Sequence, residues 1–535
     1  MFDQKFTRRE FLKISALTSL AFAVPNFFTD VDKVFAAHKD CTIKTRYGTY
    51  KGFVGKKGVQ TWLGIPYAKP PIDSLRWHSP EMLDPSDKIF NAKKFGFSPL
   101  QDIDEVEPAS LNEQSEDCLT LNIWTSDATK RKPVMVFIPG GGFINGGSGD
   151  PLYDGNFFAA NNDVVFVTIN YRLNVFGFMN FSSIDSSYES SGYLGIQDQV
   201  MALKWVKENI ENFGGDPDNI TIFGESAGAA SVMLLSVTPA ARGLFDKVIS
   251  QSGHLTFYHP PEESVKLAEH FMEFGGFKNM DELRNKSAEE IRKIYENFIL
   301  VRMLSTEIDY FPTADGKFLP LNPFKALMNG AAKDIKFMTG TTEGEYFYWL
   351  LYYEEFIDIM PDFHAKINPV IYNENFTNNM DIYRAWRKNH PEIKLDDTLG
   401  YLAFANQLDW RVGQELAAEY QSKYNDVYFY LFSQKSPIEK LGSCHAIDLP
   451  FVFGNPSPDI EGKPDKNLIK QVQATWTAFA TTGKPDNDLI PEWKKYAADN
   501  RQTMEINAKG WACHKDLNAQ TLGELRYLYE DNLLK

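Results

Sequence analysis

The stretch Gly224-Glu225-Ser226-Ala227-Gly228 constrains this chain more than any other part of it. A G-x-S-x-G pattern sets a serine on a strained turn between a strand and a helix, and the flanking glycines let neighbouring backbone approach without a Cβ clash. The flanks agree with that geometry. Residues 219–223, Asn-Ile-Thr-Ile-Phe, are a short β-branched and apolar run, and residues 229–235, Ala-Ala-Ser-Val-Met-Leu-Leu, have the small, apolar content of a buried helix start. Ser226 is therefore the candidate nucleophile.

A nucleophilic serine needs donors for a developing oxyanion, a base, and an acid that orients the base. Residues 134–138, Val-Met-Val-Phe-Ile, read as a fully buried strand that runs into Pro139-Gly140-Gly141-Gly142-Phe143, where backbone free of side chains can aim N–H groups at the reacting carbonyl. Gly141 and Gly142 are the candidate donors. The N–H of Ala227, the residue after the nucleophile, is the third. No Lys-Ser/Thr pair follows the glycines, which disfavours a phosphate-binding loop.

The 535 residues carry no Ser/Gly-rich or Pro-rich linker and no internal repeat, so one elaborated catalytic domain over residues 37–535 is expected. The formal charge of −16 opposes nucleic-acid phosphates and anionic lipid, and reads as a soluble, self-repelling surface. At the N-terminus, Thr7-Arg8-Arg9-Glu10-Phe11-Leu12-Lys13 precedes an apolar run from Ile14 to Val24 and resembles a twin-arginine export signal. The run is too short to span a bilayer and Pro25 interrupts it, so no stable membrane anchor is expected. Cleavage is expected after Ala36, with Ala23 as the second candidate. Such a signal implies a prokaryotic, periplasmic or secreted protein that meets the twin-arginine export machinery. The four cysteines, Cys41, Cys118, Cys444 and Cys513, are too scattered for a disulfide framework or a zinc site, and no essential disulfide and no metal are expected.

With these motifs in place the chain resembles the type B carboxylesterase family, which includes cholinesterases and bacterial carboxylesterases. The matching blocks run in order through Gly64-Ile65-Pro66-Tyr67-Ala68-Lys69-Pro70-Pro71, Leu75-Arg76-Trp77, Ser115-Glu116-Asp117-Cys118-Leu119-Thr120-Leu121-Asn122, Asn170-Tyr171-Arg172-Leu173, Asn212-Phe213-Gly214-Gly215-Asp216-Pro217, the serine motif, Trp476-Thr477-Ala478-Phe479-Ala480 and Gly483-Lys484-Pro485. The resemblance implies an α/β-hydrolase fold: a central, mostly parallel twisted sheet flanked by helices, with large insertions. It also implies an acid in a Glu-Gly pair just beyond a strand, which selects Glu343 after the strand-like residues 335–340. Glu345 lacks a following glycine and reads as a surface or supporting carboxylate.

The base should come last in the chain. Of nine histidines only His445 lies in a loop of the family's shape, Gly442-Ser443-Cys444-His445-Ala446-Ile447-Asp448-Leu449-Pro450, while His364, His390 and His514 read as ordinary surface or core histidines. The implied reaction is hydrolysis of a small-molecule carboxylic ester through an acyl-enzyme, with Ser226, His445 and Glu343 as triad and no cofactor. Broad ester specificity is expected.

Several positions depart from the family pattern. Pro139 stands where many relatives carry His or Tyr, and Ala446 where many carry Gly. Cys118 resembles half of a family disulfide, yet residues 97–101 hold no Cys to pair with it. That segment, up to Cys118, also holds no Trp to bind a quaternary ammonium, which makes choline esters poor substrates. The aromatic residues 346–353 could line an apolar gorge or simply fill a helix core. A catalytically silent adhesion or binding member of the family is one alternative, though all three triad candidates are present. A hydrolase specialised for polyester, tannin or sugar esters is another, which the sequence leaves open.

Overall fold

The computed structural model describes residues 39–101, 113–304, 311–351, 379–395, 397–457, 460 and 464–533. The proposed export signal and its cleavage points, His364, Tyr352 and Tyr353 lie outside the described residues.

Thirteen strands form one sheet among the described residues: Asp40–Thr45 (β1), Gly48–Val54 (β2), Gln60–Pro66 (β3), Ile89–Asn91 (β4), Thr120–Thr125 (β5), Lys132–Ile138 (β6), Val165–Ile169 (β7), Gly215–Glu225 (β8), Lys247–Gln251 (β9), Lys336–Thr342 (β10), Val427–Phe432 (β11), Gln502–Ile506 (β12) and Ala512–Lys515 (β13). Their order is β1-β2-β3-β5-β7-β6-β8-β9-β10-β11-β12-β13, with β4 beside β2. From β7 through β6, β8, β9, β10 and β11 to β12 every pairing is parallel, while β1 to β5 and the last strand join antiparallel at the two margins, apart from the short parallel pair of β2 and β4.

The central strands are buried along nearly their whole length because both faces of the sheet are covered. Val134, Val136, Ile138, Val165, Val167, Ile169, Ile220 and Ile222 enter one core, and the alternate residues Met135, Phe137, Phe166 and Phe223 enter a second. Helices Leu194–Asn209 (α1) and Ala227–Val237 (α2) cover the first face, contributing Leu203, Trp205, Val206 and Met233. Helix Lys466–Thr482 (α3) covers the second with Val472, Trp476 and Phe479. A doubly covered parallel sheet gathers the loops that leave the strands' C-terminal ends along one edge, which is where open α/β sheets bind ligands. The segments after β6, β8, β10 and β11 carry the candidate oxyanion donors, nucleophile, acid and base. Among the described residues no helix is long and apolar enough to cross a membrane.

Candidate active site

Ser226 sits between β8 and α2 with φ 56° and ψ −124°, a backbone conformation that L-residues rarely adopt and that costs on the order of 1–3 kcal/mol. Close packing fixes the turn. A Cβ on Gly228 would meet the Ile138 carbonyl oxygen at 2.0 Å, and one on Gly224 would meet the Gly228 carbonyl carbon at 2.4 Å, so both positions require glycine. The Ser226 N–H donates to the Gln251 carbonyl at 2.9 Å, tying the turn to the end of β9. The surrounding residues are buried and Ser226 itself is half-buried.

The glycine loop leaves β6 directly beside this turn, because Ile138 pairs with Gly224 in the parallel ladder. A Cβ on Gly140 would lie 3.1 Å from the Ser226 Cβ, so the loop passes against the serine. Gly141 and Gly142 have φ of 103° and 59°, and the Gly141 carbonyl accepts N–H bonds from Ile144 and Asn145, both at 3.0 Å. Ala227 is the first residue of α2, where a backbone N–H has no partner within its own helix. Ala227 thus follows the serine directly, and Gly140, which leads into Gly141 and Gly142, packs against it.

The carboxylate that meets the histidine is Glu345, and this corrects the selection of Glu343. Glu345 Oε2 lies 2.6 Å from His445 Nδ1, and Glu345 is 1 % exposed. Glu343, in contrast, is exposed. The backbone explains the difference. Glu343 N–H still donates to Phe432 on β11 at 3.1 Å, which continues the strand ladder past Thr342. The chain turns only at Gly344, whose N–H donates to the Ser443 carbonyl at 2.9 Å, and Glu345 then opens the 3-10 helix Glu345–Leu351 beneath the His445 loop. Its other oxygen, Oε1, accepts the Thr342 N–H at 2.8 Å. The Glu345 carbonyl also accepts the His445 N–H at 3.3 Å. The Glu-Gly pair in this chain thus supplies the turn, and the following glutamate supplies the carboxylate.

His445 is 5 % exposed in a wall of aromatic rings. Trp349 stacks on it at 5.4 Å between centroids, Trp410 lies at 4.7 Å and Tyr348 at 6.3 Å. The bond from Glu345 assigns the ring proton to Nδ1 and leaves Nε2 as the site for a second proton. Nε2 lies 3.0 Å from Glu225 Oε1, an ion-pair contact without hydrogen-bond geometry. Burial works against a charged ring here, but the carboxylates of Glu225, Glu345 and Asp448 outweigh it and lift His445 to about 9. Asp448 is itself pushed up to about 6, chiefly by burial, although Gln251 Nε2 donates to its Oδ2 at 2.8 Å.

Ala446 has φ 63°, the left-handed conformation that glycine adopts without strain, which accounts for the glycine of many relatives at this place. His390 is buried between Glu392 and Glu524 at 2.9 and 3.0 Å, and His514 pairs with Glu505 at 3.1 Å. Neither approaches the serine turn through any of these contacts. The residues after the acid divide their roles: Tyr346 and Leu350 enter the core, while Tyr348 and Trp349 face His445. Sequence reading passed over Glu225, the variable residue of the serine motif, and Asp448, three residues after the histidine, although both stood inside motifs already singled out. Trp410 lies on the π-helical segment Asn406–Val412 and carried no sequence signal. Among the described residues no group of three or more His, Cys, Asp or Glu could hold a metal ion.

The sequence model of the Carboxylesterase family matches residues 39–523. The chain is 35% identical over 485 residues to para-nitrobenzyl esterase of Bacillus subtilis, covering 87% of this chain and 95% of that protein. It is 30% identical to a cholinesterase of Mus musculus, over 90% of this chain and 85% of that one. Among solved structures, a carboxylesterase of Geobacillus stearothermophilus superposes with a TM-score of 0.80 at 33% identity, covering 90% of this chain and 99% of that one.

Proposed function

The chain belongs to the carboxylesterase family, and from that premise we propose that it hydrolyses carboxylic esters through an acyl-enzyme on Ser226, with His445 as general base and Glu345 as the acid that orients it. The observation that carries this reading is the 2.6 Å contact between the buried Glu345 carboxylate and His445 Nδ1, made just beyond β10 and β11 in the same parallel sheet whose strand β8 runs into the strained Ser226 turn.

His445 Nε2 takes the hydroxyl proton of Ser226 as Oγ adds to the ester carbonyl carbon. The N–H groups of Gly141, Gly142 and Ala227 hold the oxyanion while the C–O bond to the alcohol breaks, and the imidazolium returns its proton to the departing alkoxide. Glu345 stabilises that imidazolium across a water-poor contact, where a charge-assisted hydrogen bond is worth more than in bulk solvent. A water molecule then repeats the sequence on the acyl-enzyme and releases the acid. The reaction needs neither a metal nor a redox group.

The acceptor side of this site is apolar and aromatic, with Trp349, Trp410 and Tyr348 around the base, which supports acyl or aryl esters of broad identity over charged ones. Residues 97–118 contain no Trp for a quaternary ammonium, and choline esters are poor substrates in this reading. The twin-arginine pattern at residues 7–13 supports export of the folded enzyme to the periplasm or beyond. Hydrolysis of p-nitrophenyl esters from acetate to laurate, with and without Ser226→Ala, tests the proposal. Serine-dependent release with a defined chain-length optimum is expected, and release that survives Ser226→Ala would exclude it.

A further inference from the structure

The outer end of the glycine loop that presents the oxyanion donors is held by the side-chain amide of Gln101. Gln101 is fully buried. Its Oε1 accepts the Gly146 N–H at 2.8 Å, and its Nε2 donates to the carbonyls of Gly146 and Pro99, both at 2.9 Å. The side chain thus pairs with one residue's N–H and C=O together, as a neighbouring strand would. Gly146 is in turn packed beneath the donors: it has φ 97°, and a Cβ there would meet the Gly140 carbonyl oxygen at 2.4 Å and Gly141 Cα at 4.0 Å. Gly146 is thus seated against Gly140 at a distance that leaves no room for a side chain, with Gly141 in ordinary contact beyond it.

The segment that carries Gln101 is anchored without a disulfide. Ser98 N–H donates to the Glu113 carbonyl at 2.9 Å, Ser115 N–H donates to the Ser98 carbonyl at 3.0 Å, and Gln101 N–H donates to Gln114 Oε1 at 3.0 Å. Asn174 adds a second tie, since its Nδ2 donates to the carbonyls of Leu100 at 2.6 Å and Ile144 at 3.2 Å. Both ends of the glycine loop's outer half are thus fastened to residues 99–101.

We infer that Gln101 is a positioning residue for the oxyanion donors, acting through Gly146 on Gly140 and Gly141. The inference rests on the ester-hydrolase reading of Ser226. Removing one oxyanion donor typically costs about 10²–10³ in kcat, and a misplacement of about 1 Å about 10². Gln101→Met, which keeps the volume and removes both hydrogen-bonding ends, should lower kcat per active site by about 10–100-fold with KM within about threefold. Gln101→Glu keeps the acceptor and loses only the Nε2 donors, and it serves as the second variant should Gln101→Met fail to fold. It should show a kcat loss of the same sign.

The experiment measures kcat per Ser226 titrated with a fluorophosphonate, together with inhibition by a trifluoromethyl ketone, whose adduct places an oxyanion in the same donors. A positioning role predicts that ketone affinity falls in parallel with kcat/KM, while inhibition by a product alcohol is unchanged. Wild-type kcat per titrated site in the folded variant would overturn the inference, as would a kcat loss with unchanged ketone affinity. Hydrolysis that persists in Ser226→Ala would instead overturn the reaction on which it rests.

Discussion

Exchanging Glu345 for glutamine should cost nearly all of the turnover, while the same exchange at Glu343 should cost almost none. The carboxylate of Glu345 is buried, with one oxygen on the Thr342 N–H at 2.8 Å and the other on His445 Nδ1 at 2.6 Å. In Glu345→Gln the amide keeps its carbonyl on one partner and turns its NH2 to the other. If the NH2 faces Nδ1, the ring must carry its proton on Nε2, and it can no longer accept one from Ser226. If it faces Thr342, two N–H groups meet and the anion that stabilises the imidazolium is still gone. The comparable acid-to-amide exchange in a serine protease lowers kcat about 10⁴-fold, which is about 5 kcal/mol of transition-state stabilisation. We expect a loss of about 10³–10⁴-fold in kcat for a p-nitrophenyl ester. Glu343 is exposed, and Glu343→Gln should stay within about twofold of the parent. Initial rates normalised to titratable Ser226, with thermal melts to establish folding, make the measurement. Near-normal turnover in folded Glu345→Gln, or a loss of the predicted size in Glu343→Gln, would refute the assignment.

Three further outcomes follow from the same geometry. His445 must be neutral to accept a proton, and its neighbours raise it to about 9, so kcat/KM should climb with pH toward that value, and Glu225→Gln should move the rising limb down by about one pH unit or more. The stability that protonated His445 draws from these carboxylates is complete below the ordinary histidine value of 6.5 and fades as pH rises through about 9, so a rising limb that stays put in Glu225→Gln would contradict the electrostatic account. Gly228→Ala places a Cβ 2.0 Å from the Ile138 carbonyl and should destabilise the fold by about 3 kcal/mol or more; a melting temperature within about 2 °C of the parent would contradict the packing of the turn. All four cysteines are free thiols, so activity should be equal with and without reductant, and a large loss in reductant would show a disulfide that the structure lacks.

The parts of the site legible in the sequence are those whose chemistry demands a particular residue type at a particular spacing. Glycines at 224 and 228 are required by carbonyl contacts that no Cβ could survive, and the strained φ of Ser226 comes with them. The alternating burial of β6 and β8 into two cores fits the apolar and β-branched runs at residues 134–138 and 219–223. The acid was misread for a physical reason: Glu-Gly marks where a backbone can turn, but the register of β10 against β11 decides which glutamate emerges beneath the histidine. One more ladder bond, from Glu343 N–H to Phe432, moves that point two residues along the chain. Trp410 and Gln101 reach the site from segments far away in sequence, and no local pattern announces such contacts. Those contacts depend on how long insertions fold back over the sheet edge, which spacing within a single motif does not encode.

If Ser226 forms an acyl-enzyme, a pre-steady-state burst makes it visible. Mixing the mature chain with an activated p-nitrophenyl ester should release one equivalent of p-nitrophenol per folded chain ahead of the steady state, with the acyl group recovered on the peptide that carries Ser226 and no burst in Ser226→Ala. Linear release without a burst from an ester whose deacylation is slow, or an acyl group recovered on another residue, would contradict the account.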